Sequence, residues 1–196
     1  SNVEFTVKAT TAEELAQYVN NATSDITVKF ANDLEGTVLL KQKQGVNVTI
    51  LGNDKNYNGV LSLRGYMECG TSKLTIKNVH FNAGATADAC ILGEDKSVND
   101  VYAYSHHVTV ENCSFTGNSG TAAIRHEDGG DSYYTVKNCE VDNTMHSFIQ
   151  SNNILGNLVV ENCKVYSKNG ANLNSTCNAT FTGCEFDVQG YAVRVG

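Results

Sequence analysis

One eight-residue phrase recurs along this chain and constrains it more than any other feature. It reads Leu74-Thr-Ile-Lys-Asn-Val-His-Phe81, Val108-Thr-Val-Glu-Asn-Cys-Ser-Phe115, Tyr134-Thr-Val-Lys-Asn-Cys-Glu-Val141 and Leu158-Val-Val-Glu-Asn-Cys-Lys-Val165. A worn fifth copy follows at Ala179-Thr-Phe-Thr-Gly-Cys-Glu-Phe186. The asparagine position falls at 78, 112, 138 and 162, with Gly183 in the last copy, so the steps are 34, 26, 24 and 21 residues. Short β-branched runs repeating in the twenties predict a solenoid in which each copy is one coil.

The apolar phase inside a copy predicts how the chain turns. In Val108–Phe115 the apolar residues sit at 108 and 110, then at 113 and 115, so alternation slips by one at Asn112 and a bend lies there. Asparagine tolerates the left-handed backbone such a bend needs, its amide can bond to the next coil, and Gly183 meets the same backbone requirement. A third short run follows each copy: Ala89-Cys-Ile-Leu92, Ala122-Ala-Ile-Arg125, Ser147-Phe-Ile-Gln150, Ala171-Asn-Leu-Asn174 and Tyr191-Ala-Val-Arg194. Ile91, Ile124, Ile149, Leu173 and Val193 are its expected inward positions. Three strands and three corners make a coil, and Val46–Ile50 with Val60–Leu63 supplies an earlier one. The expectation is an all-β, single-stranded parallel β-helix of about six coils, forming one domain over 1–196.

Residues 3–24 are expected to cap it. Thr10 or Thr11 precedes the early acids of a short amphipathic segment, and Leu15, Ala16, Val19 and Ala22 share one helical face. A solenoid end needs such cover because it exposes unpaired strand edges. The other end, Tyr191–Gly196, has no capping helix after it, which predicts further coils in a longer protein or end-to-end self-association.

Composition removes several function classes. Net charge is −7 and the sequence pI is about 5.1, against the basic face a nucleic-acid binder needs. No apolar run is long enough for a membrane span. No charged-then-apolar leader is present, so any signal peptide is expected to have been removed. The absence of proline and tryptophan, with abundant Asn, Thr, Gly and Val, suits a turn-rich β protein. Among the seven cysteines, Cys113, Cys139, Cys163 and Cys184 directly follow the bend position. They should form an inward column of small hydrophobes, with disulfides or a metal site as the alternatives. Five Asn-x-Ser/Thr triplets occur, and one of them, Asn112, belongs to the bend, so a bacterial protein without such glycans is the simpler expectation.

Three-stranded coils with an asparagine bend, a short leading helix and the Val48-Thr-Ile-Leu-Gly-Asn53 turn resemble the right-handed parallel β-helix of the pectin-lyase-like superfamily, over roughly residues 5–196. That resemblance implies an extracellular or cell-surface protein and a carbohydrate site on the outer face of one strand of each coil. Here that face carries Leu92, Arg125, Gln150, Asn174 and Arg194, flanked by Cys90, Ala123, Phe148, Asn172 and Ala192. A ligand-binding surface of Arg125, Phe148, Gln150, Asn174 and Arg194 is therefore expected, with polysaccharide or a surface glycan as partner.

The densest chemical text is Arg125-His126-Glu127-Asp128. The resemblance implies that acids on adjacent coils, Glu94, Asp95, Glu127 and Asp128, would hold Ca²⁺, while an arginine takes a proton from an acidic sugar. On that reading Arg125, Glu127 and Asp128 are catalytic residues of a small polysaccharide lyase or glycoside hydrolase. Against it, the lyase pairing of arginine with proline is impossible in a chain without proline. The paired-aspartate signature of the polygalacturonase branch is also missing, and no two carboxylates are visibly paired across a groove. Tyr102, Tyr104, Tyr133 and Tyr134 crowd one corner and offer rings for sugar stacking. The histidines at 80, 106, 107, 126 and 146 are expected mainly as local hydrogen-bonding corner residues. The leading expectation is a non-catalytic β-helix module that binds polysaccharide or mediates adhesion.

Overall fold

In the computed structural model, residues 4–63, 72–84, 87–94, 97–98, 101–102, 107–127, 132–152, 156–174 and 178–196 are described, with the backbone alone at 94, 97–98 and 101–102. The chain winds into an all-β parallel solenoid of about seven turns with one short helix near its N-terminus. Among the described residues the pairings of the stacked coils are parallel, and Ser97–Val98 with Val101–Tyr102 form a separate antiparallel pair.

The turn beyond the expected six lies inside the cap. Strand Phe5–Ala9 pairs in register with Ile26–Phe30 and so begins the first turn, while the helix Ala12–Asn21 takes the place of that turn's other two strands. Thr11 is the N-cap and its hydroxyl accepts from the Glu14 amide at 3.1 Å, while the Glu14 carboxylate accepts from the Thr10 hydroxyl. Ala12, Leu15 and Val19 are buried, with Ala16 and Ala22 half-buried against the same core.

The first sheet stacks Ile26–Phe30, Val48–Leu51, Leu74–Lys77, His107–Glu111, Tyr133–Lys137, Asn157–Glu161 and Asn178–Thr182. Each of these strands ends in the expected bend where the repeat is intact. Asn78, Asn112, Asn138 and Asn162 have φ of 56°, 52°, 51° and 52°, and Gly183 has 63°. Asn53 and Asp54 make the same bend one coil earlier, within the long strand Val48–Ser62. Backbone bonds run straight through the bend, from Asn112, Asn138 and Asn162 N–H to the carbonyls of Lys137, Glu161 and Thr182. A Cβ on Gly183 would stand 2.4 Å from the Asn162 Oδ1, so the worn copy keeps glycine for space as well as conformation.

Past the bend, the second sheet turns one apolar side chain per coil inward. Tyr57, Phe81 and Phe115 form a buried ring column, with Phe81 and Phe115 stacked at 5.1 Å, and Val141, Val165 and Phe186 continue it. Cys113, Cys139, Cys163 and Cys184 form the expected column beside it, and they and Cys90 are free thiols. Cys69 and Cys177 lie outside the described residues. The Cys113, Cys139 and Cys163 thiols lean on carbonyls of the preceding coil at 3.6–3.8 Å. Burial pushes the Cys90 thiol up to about 12, and contact with Cys113, together with burial, does the same for Cys139.

The C-terminal end is open. Val193 and Val195 are 41% and 75% exposed, and Phe181, Cys184 and Phe186 are only part-buried where their counterparts one coil earlier are covered. No helix of the described residues is long and apolar enough to cross a membrane.

Candidate functional site

The third sheet stacks Ala89–Glu94, Ala122–Glu127, Ser147–Asn152, Asn169–Asn174 and Val193–Val195. Its outward row runs Leu92, Arg125, Gln150, Asn172 and Arg194, each in register with the next. This places Arg125, Gln150 and Arg194 together as expected, but it exchanges Asn174 for Asn172. Asn174 stands one position outward along the strand, where its Nδ2 donates to Asn152 Oδ1 at 2.9 Å. The expected inward partner Leu173 likewise pairs with Ser151, and Ala171 faces Ile149. In the fourth copy the repeat therefore starts two residues earlier than its apolar pattern suggests, at Asn169.

Phe148 is not on this face. It is fully buried, as is Ala123 at the same place one coil earlier. The first three residues of both strands are buried in succession, so alternation fails where the chain rounds the corner into the third sheet. Counting back from Arg125 and Gln150 by strict alternation turns Ala123 and Phe148 outward; the corner turns them in. Phe148 belongs to the core and is no sugar platform.

His126 is interior too. Only 1% exposed, it shares a 2.8 Å hydrogen bond with the Tyr134 hydroxyl, and the two rings meet edge to face. Gly93, the residue in register with His126, makes room for this pair: a Cβ there would lie 2.3 Å from the Tyr134 oxygen and 2.6 Å from His126 Nδ1. The Arg125-His126-Glu127 text is thus split by the pleat, with the histidine in the core and its neighbours outside.

Outside, Arg125 and Glu127 are tied to each other, with Nη2 2.5 Å from Oε1 and both side chains largely covered. Glu127 is in register with Glu94, so two of the proposed Ca²⁺ ligands do occupy adjacent coils. Asp95 and Asp128 lie outside the described residues. Among the described residues no three His, Cys, Asp or Glu side chains gather into a metal cluster. Hard oxygen donors suit Ca²⁺, but an ion at Glu127 would have to compete with Arg125 for that carboxylate.

The first sheet's outer face carries a pattern with a structural explanation. Thr27, Thr49, Thr75, Thr109 and Thr135 stand in one register row, the β-branched cross-strand pairing that stabilises a sheet. The next row holds the surface pairs Lys77–Glu111 at 3.5 Å and Lys137–Glu161 at 4.0 Å, which contribute about 0–1 kcal/mol each. His107 and Tyr133 stack at 4.7 Å at its edge, so of the expected corner tyrosines Tyr133 is exposed while Tyr134 is core. His80 sits on the second sheet, with Nδ1 2.6 Å from Ser114 Oγ.

Sequence reading missed one surface cleft. It lies at the corner between the second and third sheets, lined by Asp142, Asn143, Tyr166, Asp187, Val188 and Gln189, with a volume of about 410 Å³. Its residues come from linkers that vary between copies, and repeat analysis discards those. The chain matches no protein-family model, and no curated protein or solved structure is similar to it at a significant level.

Proposed function

We propose that this chain is a non-catalytic β-helix module of pectin-lyase-like type that binds polysaccharide or a surface glycan along the outer face of its third sheet, at the surface of a bacterial cell. The observation that carries this reading is the row Arg125, Gln150, Asn172 and Arg194, flanked by the bonded amides Asn152 and Asn174. Amide and guanidinium planes repeating at the coil rise of about 4.8 Å offer donors and acceptors at regular intervals to a polymer of hydroxyl-bearing units. The face is built on paired strands rather than loops, so little entropy is lost in ordering it on binding.

The Arg125–Glu127 ion pair favours binding over lyase chemistry. A guanidinium is a poor base in any protein, and this one is already engaged by a carboxylate at 2.5 Å. Glycan-array binding followed by titration tests the proposal. Arg125→Ala and Gln150→Ala are each expected to weaken binding by about tenfold, the loss of one or two hydrogen bonds. Undiminished binding by both variants would remove this face from the reading. Release of unsaturated uronide or new reducing ends by the wild-type chain would replace binding with catalysis.

A further inference from the structure

The corner cleft has a shape that follows from linker length. Between the second and third sheets the chain uses residues 142–146 on one coil, only 166–168 on the next, and 187–192 on the last. The short linker sits between two longer ones, so a notch opens with Tyr166 at its floor. Asp142, Tyr166 and Asp187 are the first residues past the second-sheet strands, and their N–H groups donate to the carbonyls of Phe115, Val141 and Val165 at 3.1, 2.8 and 2.9 Å. Their side chains therefore rise one above another at the coil spacing, a ring between two carboxylates.

The walls are partly fixed in advance. Asp142 Oδ2 accepts from the Thr116 hydroxyl at 2.5 Å, and Oδ1 accepts from the Thr144 N–H and hydroxyl at 3.0 and 2.5 Å. These bonds hold the carboxylate in place, and Oδ2, with a single donor, keeps a lone pair for a further one. Asn143 and Gln189 add amides that both donate and accept.

We infer that this notch is a saccharide site for a neutral hexose or a hexosamine, separate from the third-sheet face. A pyranose has an apolar C–H face, which a half-buried tyrosine ring can cover, and an equator of hydroxyls that donate to carboxylates and both donate to and accept from amides. The volume of about 410 Å³ lies within the range of small-molecule sites. Charge decides the class of sugar. Asp142 and Asp187 line the notch, Glu140 and Glu185 stand on the adjoining outer row, and among the described residues of these linkers and strands Lys164 and Lys168 carry the opposing charge. A uronate would meet like charge there, whereas a neutral ring meets none and an ammonium sugar is attracted.

This site lies at the opposite end of the third strands from Arg125 and Glu127, so it stands or falls independently of the third-sheet proposal. The test is a backbone-amide NMR titration of the whole chain with three separate probes: a gluco-oligosaccharide, a glucosamine oligomer and an oligogalacturonate. Saturable shifts at 142–144, 166 and 187–189 with either of the first two support the inference. Asp187→Asn, at an exposed position, is expected to weaken the glucosamine oligomer by about fivefold to tenfold, and Tyr166→Leu to weaken both neutral and amino sugars. Arg125→Ala should leave these shifts untouched. Shifts there with oligogalacturonate alone, no shifts with any probe, or full affinity in both notch variants would overturn it.

Discussion

Replacing Phe148 separates a buried packing role from an exposed binding role more sharply than any other single change. The ring has no solvent exposure and lies on a coil covered on both sides, by Ala122–Glu127 and Asn169–Asn174. Phe148→Ala removes the ring from a site with little freedom to collapse, because both neighbouring rungs are pinned by parallel pairing. Such truncations cost about 3–5 kcal/mol, the lost transfer energy plus a cavity. A domain of this size shifts its melting temperature by about 2–4 °C per kcal/mol, so a drop of roughly 6–20 °C is expected. Phe148→Leu, which retains most of the apolar volume, should lose clearly less. Gln150→Ala, two residues on and facing outward, should stay within about 0.5–1 kcal/mol of wild type. Urea and thermal unfolding followed by far-UV circular dichroism and tyrosine fluorescence together would check both magnitude and cooperativity, since a solenoid can unfold coil by coil. A Phe148→Ala variant that melts within about 2 °C of wild type would refute the inward phase of this strand and restore Phe148 to the surface.

Two further outcomes test the scaffold. At Asn138, whose φ is 51°, substitution by glycine should be tolerated within about 1 kcal/mol, whereas valine should cost about 1–2 kcal/mol or more, measured by urea titration. Equal stability of the two would mean that the bend does not need the left-handed conformation. Burial holds Cys90 near 12, and contact with Cys113 together with burial holds Cys139 there, against an unfolded thiol near 8.5, so their contribution is full below about pH 8.5 and is lost as pH rises toward 12. Unfolding free energy should therefore fall through this window, less steeply in Cys90→Ala, and the thiols should resist a water-soluble thiol reagent at pH 8 until urea is added. Immediate modification of the native protein would contradict the buried column.

The scaffold was legible because its signal is redundant. The bend at Asn112 is inferred from a one-residue slip in apolar phase, and the same slip recurs at 78, 138 and 162, so each copy checks the others. The cysteine column follows by the same logic. What failed did so where redundancy ends. Phe5–Ala9 has no Asn-Cys phrase and was absorbed into the cap, although it is the first rung. Phe148 and Asn174 were misplaced because the corner before the third sheet changes phase and start point from coil to coil. The His126–Tyr134 pair gave no local signal, since it depends on the empty space left by Gly93 one coil away.

A parallel three-sided coil with asparagine bends and inward thiols is written into the sequence, because strand alternation and left-handed propensity act over a few residues and are written afresh in every repeat. Which side chains face solvent on the third sheet, and where a cleft opens, emerges only once the coils are stacked. Both depend on how linkers of unequal length stack from one coil to the next. No residue's own neighbours in sequence carry that information.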